Sequence, residues 1–232
     1  ETELTPSEAV TLILSKMGWI RGGKGHNIDG ATLTYKSGDA YLTQIAGRSN
    51  QQACLLADDG RCYTLALHGL PSARGNGEPL TSRLSIDASA HIIAAAIIDD
   101  DRRYLVAADN GYGFITRGRD LTSKTKTGKT LINPGEGRAI TLQALPDGDV
   151  DILAITNEGR IALIDAAEIP ELGKGKGSQT IAIAKKTYDQ NGVRLSHICA
   201  YARGRDITLY SGKQKMTIRA SERDNYHTPR GH

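Results

Sequence analysis

Residues 104–112 read YLVAADNGY, an apolar run followed by a short polar segment that ends at Gly111 and by the start of a second run. Asp-Gly and Asn-Gly between two apolar runs are strong short-range signals of a β-hairpin. Residues 54–62, which read CLLADDGRC, repeat the pattern around Gly60. Both stretches therefore predict hairpins with two-residue turns in which the central residues have positive φ.

The hairpin pattern occurs five times along the 232 residues. Its turn glycines, separated by 42, 51, 48 and 53 residues, are Gly18, Gly60, Gly111, Gly159 and Gly212. A repeat of this length with about four short strands is typical of a propeller blade. We expect one all-β domain over 1–232, with five blades at approximately 10–50, 51–98, 102–145, 150–193 and 196–232. The irregular first and last repeats leave a closed and an open disc equally compatible with the sequence.

A basic, glycine-rich segment follows each of the three middle hairpins. These segments read LPSARGNG (70–77), LTSKTKTGK (121–129) and IPELGKGKG (169–177), and their glycines Gly77, Gly128 and Gly177 lie 17 or 18 residues after the turn glycine. The first repeat has a related segment, RGGKGH, at 21–26. Glycine lets backbone N–H groups approach a phosphate, and Lys and Arg supply charge that releases counterions. The segments are therefore interpreted as phosphate-binding loops.

The distribution of charge supports a nucleic-acid partner better than the net charge does. The chain has 29 Lys and Arg against 26 Asp and Glu, a net charge of +3, but residues 117–138 carry six basic and two acidic residues. Residues 200–232 carry seven basic and three acidic residues. Contacts of this kind hold the DNA backbone without reading bases. We expect duplex DNA to bind along a basic stripe with low sequence specificity.

Several other classes of function are not supported by the sequence. The longest aliphatic run, 92–98, is too short to span a bilayer, and three cysteines without close pairing favour neither a disulfide framework nor a zinc site. Gly128-Lys129-Thr130 lacks the earlier glycine of a P-loop, since Ser123 stands there. The histidines show no metal-ligand spacing. The polar start at Glu1 is typical of an excised cytoplasmic fragment.

Four groups of residues together carry a family resemblance, which covers essentially the whole chain. They are Met17–Arg21 with Lys24–Asp29, Leu70–Leu80, Asp109–Phe114 and Leu172–Gly177. The chain resembles the C-terminal DNA-wrapping domains of the A subunits of bacterial type IIA topoisomerases. The resemblance implies a five-bladed β-pinwheel, a propeller-like disc whose blades exchange strands and whose basic outer edge bends duplex DNA.

The resemblance is greater to the topoisomerase IV branch of the family than to gyrase. Arg21–Gly25 matches the second half of the glycine-rich box of gyrase, but Trp19 and Ile20 replace its first half. The insertion typical of gyrase is also absent. The alternatives that remain are a gyrase wrapping domain and a propeller-type scaffold that recruits a protein. An enzyme with a site in the central channel is a more remote hypothesis.

The residues and the resemblance together give a specific set of expected DNA contacts. They are Arg21, Lys24, Arg74, Lys124, Lys126, Lys129, Lys174, Lys176, Lys213, Lys215 and Arg230. The resemblance implies a parent type II topoisomerase that decatenates and relaxes DNA with ATP and Mg bound elsewhere and a catalytic tyrosine outside this chain. No catalytic residue, cofactor or metal is expected within the chain itself.

The resemblance also implies partners and a location. The partners are the rest of the parent polypeptide and the B-type ATPase protein, which assemble as an A2B2 heterotetramer, with the SMC condensin as a further candidate. The implied location is the cytoplasm at the nucleoid, with the parent enzyme at the periphery of the cell membrane and no membrane insertion.

Overall fold

The structure is a computed structural model that describes residues 7–228. Its strands are β1 Ala9–Ser15, β2 Trp19–Lys24, β3 Tyr41–Arg48, β4 Gln52–Ala57, β5 Arg61–Ala66, β6 Glu78–Pro79, β7 Ile92–Ile97, β8 Arg103–Ala108, β9 Tyr112–Arg117, β10 Lys129–Thr130, β11 Ala139–Ala144, β12 Val150–Thr156, β13 Ile161–Asp165, β14 Ser178–Gln179, β15 Leu195–Ala202, β16 Ile207–Ser211 and β17 Gln214–Ile218. Two short helices, α1 Lys185–Asn191 and α2 Arg223–Tyr226, and a few 3₁₀ turns complete the described part.

The strands form five antiparallel sheets, which confirms the predicted all-β fold. The sheet orders are β3-β1-β2-β6, β10-β5-β4-β7, β11-β8-β9-β14, β13-β12-β15 and β16-β17. The first three sheets have the expected four strands, whereas the fourth has three and the fifth has two. Leu195–Ala202 pairs with Val150–Thr156 in the fourth sheet, so the range 196–232 does not correspond to a single sheet.

The fourth strand of each of the first three sheets comes from the following repeat. Trp19 pairs with Pro79 of β6, and Cys62 pairs with Lys129 of β10. Gly113 pairs in the same way with Ser178 of β14. The chain segments after the second, third and fourth hairpins therefore cross back to the preceding sheet, as the pinwheel resemblance implies.

Consecutive sheets pack face to face through four apolar clusters. Alternate residues of one strand serve two clusters: Leu55 lies in the cluster with the first sheet, and Leu56 lies in the cluster with the third sheet. This follows from the alternation of side chains across a strand. The strands β3, β7, β11 and β15 contact one another from sheet to sheet and form the inner edge. The short strands β6, β10 and β14 lie at the opposite, outer edge, here called the rim.

The turns of the second and third hairpins differ from the expected two-residue form. In the second hairpin the Gly60 N–H donates to the Ala57 carbonyl, and Gly60 has a φ of 89°. No residue other than glycine has positive φ between residues 7 and 228, so Asp59 and Asn110 do not adopt the expected conformation. The turns match the three-residue class, in which a type I turn precedes a left-handed glycine.

The first sheet is covered on the face that points away from the second sheet. Thr11, Ile13 and Arg21 on this face are buried, and the segment 26–40 packs over them. No hydrogen bond, ion pair or apolar cluster between residues 7 and 228 joins the fifth sheet to the first. In the described residues the apolar clusters thus join the sheets in series, from the first to the fifth. None of its helices is long and apolar enough to cross a membrane.

Candidate nucleic-acid interface

Three basic segments, 70–77, 121–128 and 170–177, lie at the rim and are called the rim loops. Each rim loop runs directly into an exchanged strand at the outer edge of a sheet. Parallel bridges hold two of them at equivalent positions, Gly22 with Ser72 and Ile115 with Glu171. The third is held by the Ser123 N–H, which donates to Thr64 Oγ1 at 2.8 Å. The first, second and third sheets therefore each carry one basic loop on the same side of the disc.

The glycines of the rim loops have a structural role that the sequence-based interpretation does not assign. An added Cβ would lie 2.0 Å from the Ile20 carbonyl oxygen at Gly77, 2.4 Å from that of Cys62 at Gly128, and 2.1 Å from that of Gly113 at Gly177. All three glycines also have positive φ. They therefore allow the exchanged strand to approach the neighbouring sheet, and the expected approach of backbone N–H groups to a phosphate stays a prediction.

The predicted cations of the rim loops are exposed. Arg74, Lys124, Lys126, Lys174 and Lys176 all face solvent. None of them forms an ion pair with a carboxylate of residues 7–228. The Lys176 Nζ lies 4.1 Å from the centre of the Tyr112 ring, which holds this ammonium group beside the third sheet. Five unpaired positive charges therefore follow the rim over three sheets.

Lys129 lies at the end of this series but is only partly exposed. It is the first residue of β10 and pairs with Cys62. The Cys54 thiol and the nearby Lys129 ammonium lower the pKa of the Cys62 thiol, although burial opposes the shift. Lys129 is therefore placed at the base of its loop, close to the sheet.

Lys24 and Arg74 lie on the same cleft although they come from different repeats. The cleft has a volume of about 1010 Å³ and lies between β2, the segment 26–40 that covers the first sheet (here called the covering segment) and the first rim loop. Lys24 ends β2 and is exposed, as is Arg74. His68 also lines the cleft. The first sheet therefore presents two of the predicted cations together.

Arg21 does not face solvent and is corrected as a DNA contact. Only 3% of its surface is exposed. Its guanidinium donates to the carbonyls of Gly75 at 2.6 Å and Thr34 at 2.8 Å, and it stacks on Tyr35 at 4.5 Å. The buried Arg21 thus ties the first rim loop to the covering segment.

The segment 21–26, which the sequence pattern predicts as a loop, contributes most of strand β2. An added Cβ at Gly22 would meet Leu70 at 2.9 Å, and one at Gly23 would meet Ile28 at 1.9 Å. The glycines of this box therefore make room for the chain on both sides of the strand.

The remaining predicted contacts lie away from the rim loops. Lys213 and Lys215 are exposed, but they belong to the hairpin of the fifth sheet. Arg230 lies outside the described residues. The predicted track is therefore continuous over the first three sheets, and a different element carries the basic residues of the fifth.

Two arginines outside the predicted set of contacts support the rim loops. The Arg61 guanidinium donates to the Thr127 carbonyl at 2.6 Å, directly beside Lys126. Arg117 pairs with Glu171 at 2.7 Å and so neutralises a carboxylate within a rim loop. Arg61 directly follows a turn glycine, as Trp19 and Tyr112 do, and this position in the repeat is the sequence signal that could have identified it.

No group of three potential metal ligands occurs between residues 7 and 228.

Proteins of known structure share both the sequence pattern and the fold. The C-terminal domain of Escherichia coli ParC is 35% identical, with a TM-score of 0.85 over 97% of this chain and 92% of that one. The chain belongs to this family of C-terminal domains of topoisomerase IV. No family model matches the chain.

Two further comparisons concern a whole topoisomerase IV subunit and a gyrase domain. The A subunit of DNA topoisomerase 4 from Pseudomonas aeruginosa is 40% identical over the whole chain, which spans about 31% of the length of that relative. The C-terminal domain of DNA gyrase A is 16% identical, with a TM-score of 0.64 over 87% of this chain, and shows the fold alone. The topoisomerase IV branch is therefore favoured over gyrase, as the residues at 19–25 predict.

Proposed function

We propose that this domain binds and bends duplex DNA along its rim without reading its sequence. The observation that carries the proposal is the set of unpaired cations on three equivalent rim loops. Loops held at the same place on successive sheets give a curved series of positive charges with the spacing of the sheets. Phosphate contacts of this kind fix the position of DNA but carry no base information.

The bending follows from the shape of the rim. Bending 20–30 base pairs costs on the order of 1–6 kcal/mol by elastic estimates. Each phosphate contact releases condensed counterions, so several contacts together offset the elastic cost. Bridges and hydrogen bonds hold the loops to the sheets, so little of the binding free energy is lost in ordering them.

The chain matches about a third of the length of its relatives, and the rest of the parent protein supplies the cleavage and passage of DNA strands. We propose that the domain presents DNA segments to the strand-passage core of a type II topoisomerase. That core comprises the rest of the parent polypeptide, with the catalytic tyrosine, and the B-type ATPase protein, where ATP and Mg act. Contacts with the SMC condensin and a nucleoid location are further parts of the proposal.

The test compares charge reversals at the rim with a matched control. Lys124→Glu with Lys126→Glu removes the charges of one rim loop, and Lys16→Glu with Lys186→Glu changes the net charge equally at exposed sites away from the rim loops. Binding to a random duplex of about 30 base pairs is measured by fluorescence anisotropy between roughly 50 and 200 mM salt. We expect the rim variant to bind at least about tenfold more weakly, with its salt slope reduced by about 2.

The control should retain most of the affinity and the full salt slope. Equal losses in the two variants would mean that only net charge matters and would overturn the rim as the binding site. An affinity that does not fall as salt rises would overturn the electrostatic mechanism.

A further inference from the structure

One face of the fifth sheet is uncovered, unlike the faces of the other four. Ile207, Leu209 and Ile218 pack toward the fourth sheet. The alternate residues Thr208, Tyr210, Lys215 and Thr217 point the opposite way and are exposed. The corresponding face of the first sheet is covered by the segment 26–40. Within residues 7–228, the outer face of the fifth hairpin is therefore a bare two-stranded ribbon.

The chemistry of this face is polar and basic. Residues 207–218 contain Lys213 and Lys215 and no acidic residue. Thr208 and Thr217 are cross-strand partners whose hydroxyl oxygens lie 3.2 Å apart. Tyr210 lies opposite Lys215 and is 77% exposed. An apolar face would call for another sheet, whereas this face suits a hydrated anionic partner.

The position of the ribbon relates it to the rim. The strand β17 follows the turn glycine of its hairpin, as β2, β5 and β9 do in theirs. The outer edges of β2, β5 and β9 receive the exchanged strands. The outer edge of β17 has no strand partner among residues 7–228, so the ribbon lies bare on the side of the disc where the rim lies. A two-stranded ribbon also has the size that the major groove of DNA admits.

We propose that the outer face of the fifth hairpin is a further DNA-contacting surface, formed by Thr208, Tyr210, Lys215 and Thr217 with Lys213 at its tip. It binds duplex DNA through a sheet face, whereas the rim binds through loops. The inference rests on the proposed function, because the rim brings the duplex to this end of the disc. Pairing of the bare strand edges with a second copy is the alternative, but lysines beside an edge strand disfavour such pairing.

The experiment uses the whole chain and three paired variants. The ribbon variant is Lys213→Glu with Lys215→Glu, the rim variant is Lys124→Glu with Lys126→Glu, and the control is Lys16→Glu with Lys186→Glu. Affinity for a random duplex of about 30 base pairs is measured at several salt concentrations. We expect the ribbon variant to lose about tenfold in affinity and to reduce the salt slope by about 2, as one lost phosphate contact per lysine predicts.

Tyr210→Ala tests the same surface without changing the net charge of the chain. We expect it to weaken binding about threefold or more while the salt slope stays unchanged, because the contact is not ionic. All these residues are exposed, so thermal unfolding of each variant should match the unmodified chain and exclude a folding defect.

The outcomes separate this inference from the proposed function. A rim variant that weakens binding beside a ribbon variant that matches the control overturns the ribbon and leaves the rim in place. A rim variant that matches the control overturns the proposed function whatever the ribbon does. A dimer in sedimentation that dissociates on the ribbon substitutions assigns the ribbon to a second copy and also overturns the inference.

Discussion

At the scale of single residues, the rim-loop glycines show why a position without a side chain is required. Gly177 has a φ of +81°, and an added Cβ would lie 2.1 Å from the Gly113 carbonyl oxygen. Gly148 has the same φ with open space around it. Left-handed backbone costs a non-glycine residue about 1–2 kcal/mol. We therefore expect Gly148→Ala to lose about this much free energy of unfolding.

Gly177→Ala must in addition displace backbone of β9. We expect it to lose about 3–4 kcal/mol, more than the roughly 0.5–3 kcal/mol of most single substitutions, because of this steric clash. Urea unfolding of the two variants measures the difference. Equal losses would show that backbone strain alone explains the glycine and that the close approach of the exchanged strand is unimportant.

Arg21 is the residue for which the sequence-based interpretation and the structure differ most. Arg21→Ala removes the buried guanidinium together with its hydrogen bonds to the carbonyls of Gly75 and Thr34, and a hydrogen bond to a charged group contributes about 1.5–3 kcal/mol. We expect a loss of about 2–4 kcal/mol in urea unfolding. Arg21→Lys should restore only a part of it, since an ammonium cannot reproduce the planar fork.

Arg74→Ala provides the contrast, because Arg74 is exposed on the first rim loop. We expect its free energy of unfolding to change by no more than about 0.5 kcal/mol and its affinity for DNA to fall. An Arg21→Ala variant that unfolds normally but binds DNA weakly would return Arg21 to the DNA interface.

At the scale of elements, the residues predict the five hairpins, whereas strand exchange follows only from the family resemblance and the positions of the exchanged strands were not predicted. Turn glycines between apolar runs, as at Gly60 and Gly111, mark the hairpins locally. The exchanged strands Glu78–Pro79, Lys129–Thr130 and Ser178–Gln179 are two residues long, too short for alternation to appear. Their pairing depends on a neighbouring sheet, so the same glycines that permit it resemble phosphate contacts in the sequence.

The basic residues were predictable as a group because they recur in register. Whether each basic side chain is exposed to DNA depends on tertiary contacts that cannot be deduced from the sequence. Arg21 and Lys24 are three residues apart in one strand, yet one is buried between two carbonyls and the other is exposed.

A group of ion pairs joins α2 and the residue after β15 to the fourth sheet. Asp151 is 1% exposed and accepts from Arg223 at 2.6 Å and from Arg203 at 3.1 Å, and Arg203 also pairs with Asp165 at 2.8 Å. Burial would raise the pKa of the Asp165 carboxyl, but hydrogen bonds from the Ala167 amide and Arg203 hold it below its usual value. This pKa shift makes the group of ion pairs sensitive to acid.

The sign of the pH dependence follows from the lowered pKa. A carboxylate with a depressed folded pKa stabilises the fold above its unfolded pKa of about 3.9 and loses this contribution as pH falls through the folded value. We expect Asp165→Asn to be less stable than the unmodified chain at pH 6, and the difference in free energy of unfolding to shrink at about pH 3. A constant difference between these pH values would contradict the role of the ionised carboxylate.

At the scale of the whole molecule, the series of packed sheets runs from the first sheet to the fifth. The segment 26–40 covers the first sheet, and the polar outer face of the fifth sheet needs no neighbour in order to be stable in water. Terminal repeats with a polar outer face are typical of repeat architectures. DNA that follows the rim loops therefore enters at the first sheet and passes the third sheet toward the fifth.

The three rim loops should contribute unequally to the bend. On a convex rim the duplex is bent because its two ends are attracted inward, while the protein surface supports its middle. Lys174→Glu with Lys176→Glu releases an end contact, so the duplex straightens beyond the second sheet. Lys124→Glu with Lys126→Glu removes the middle contact, so affinity falls while both ends remain attracted.

We therefore expect the end variant to reduce the bend by about half, since elastic bending of the released part costs free energy that no contact then offsets. The middle variant should retain most of the bend in the bound state. Energy transfer between dyes at the two ends of a duplex of about 30 base pairs, measured at saturating protein, reports the bend separately from affinity. A middle variant that straightens the duplex more than the end variant would show that DNA does not follow the loops in the order of the sheets.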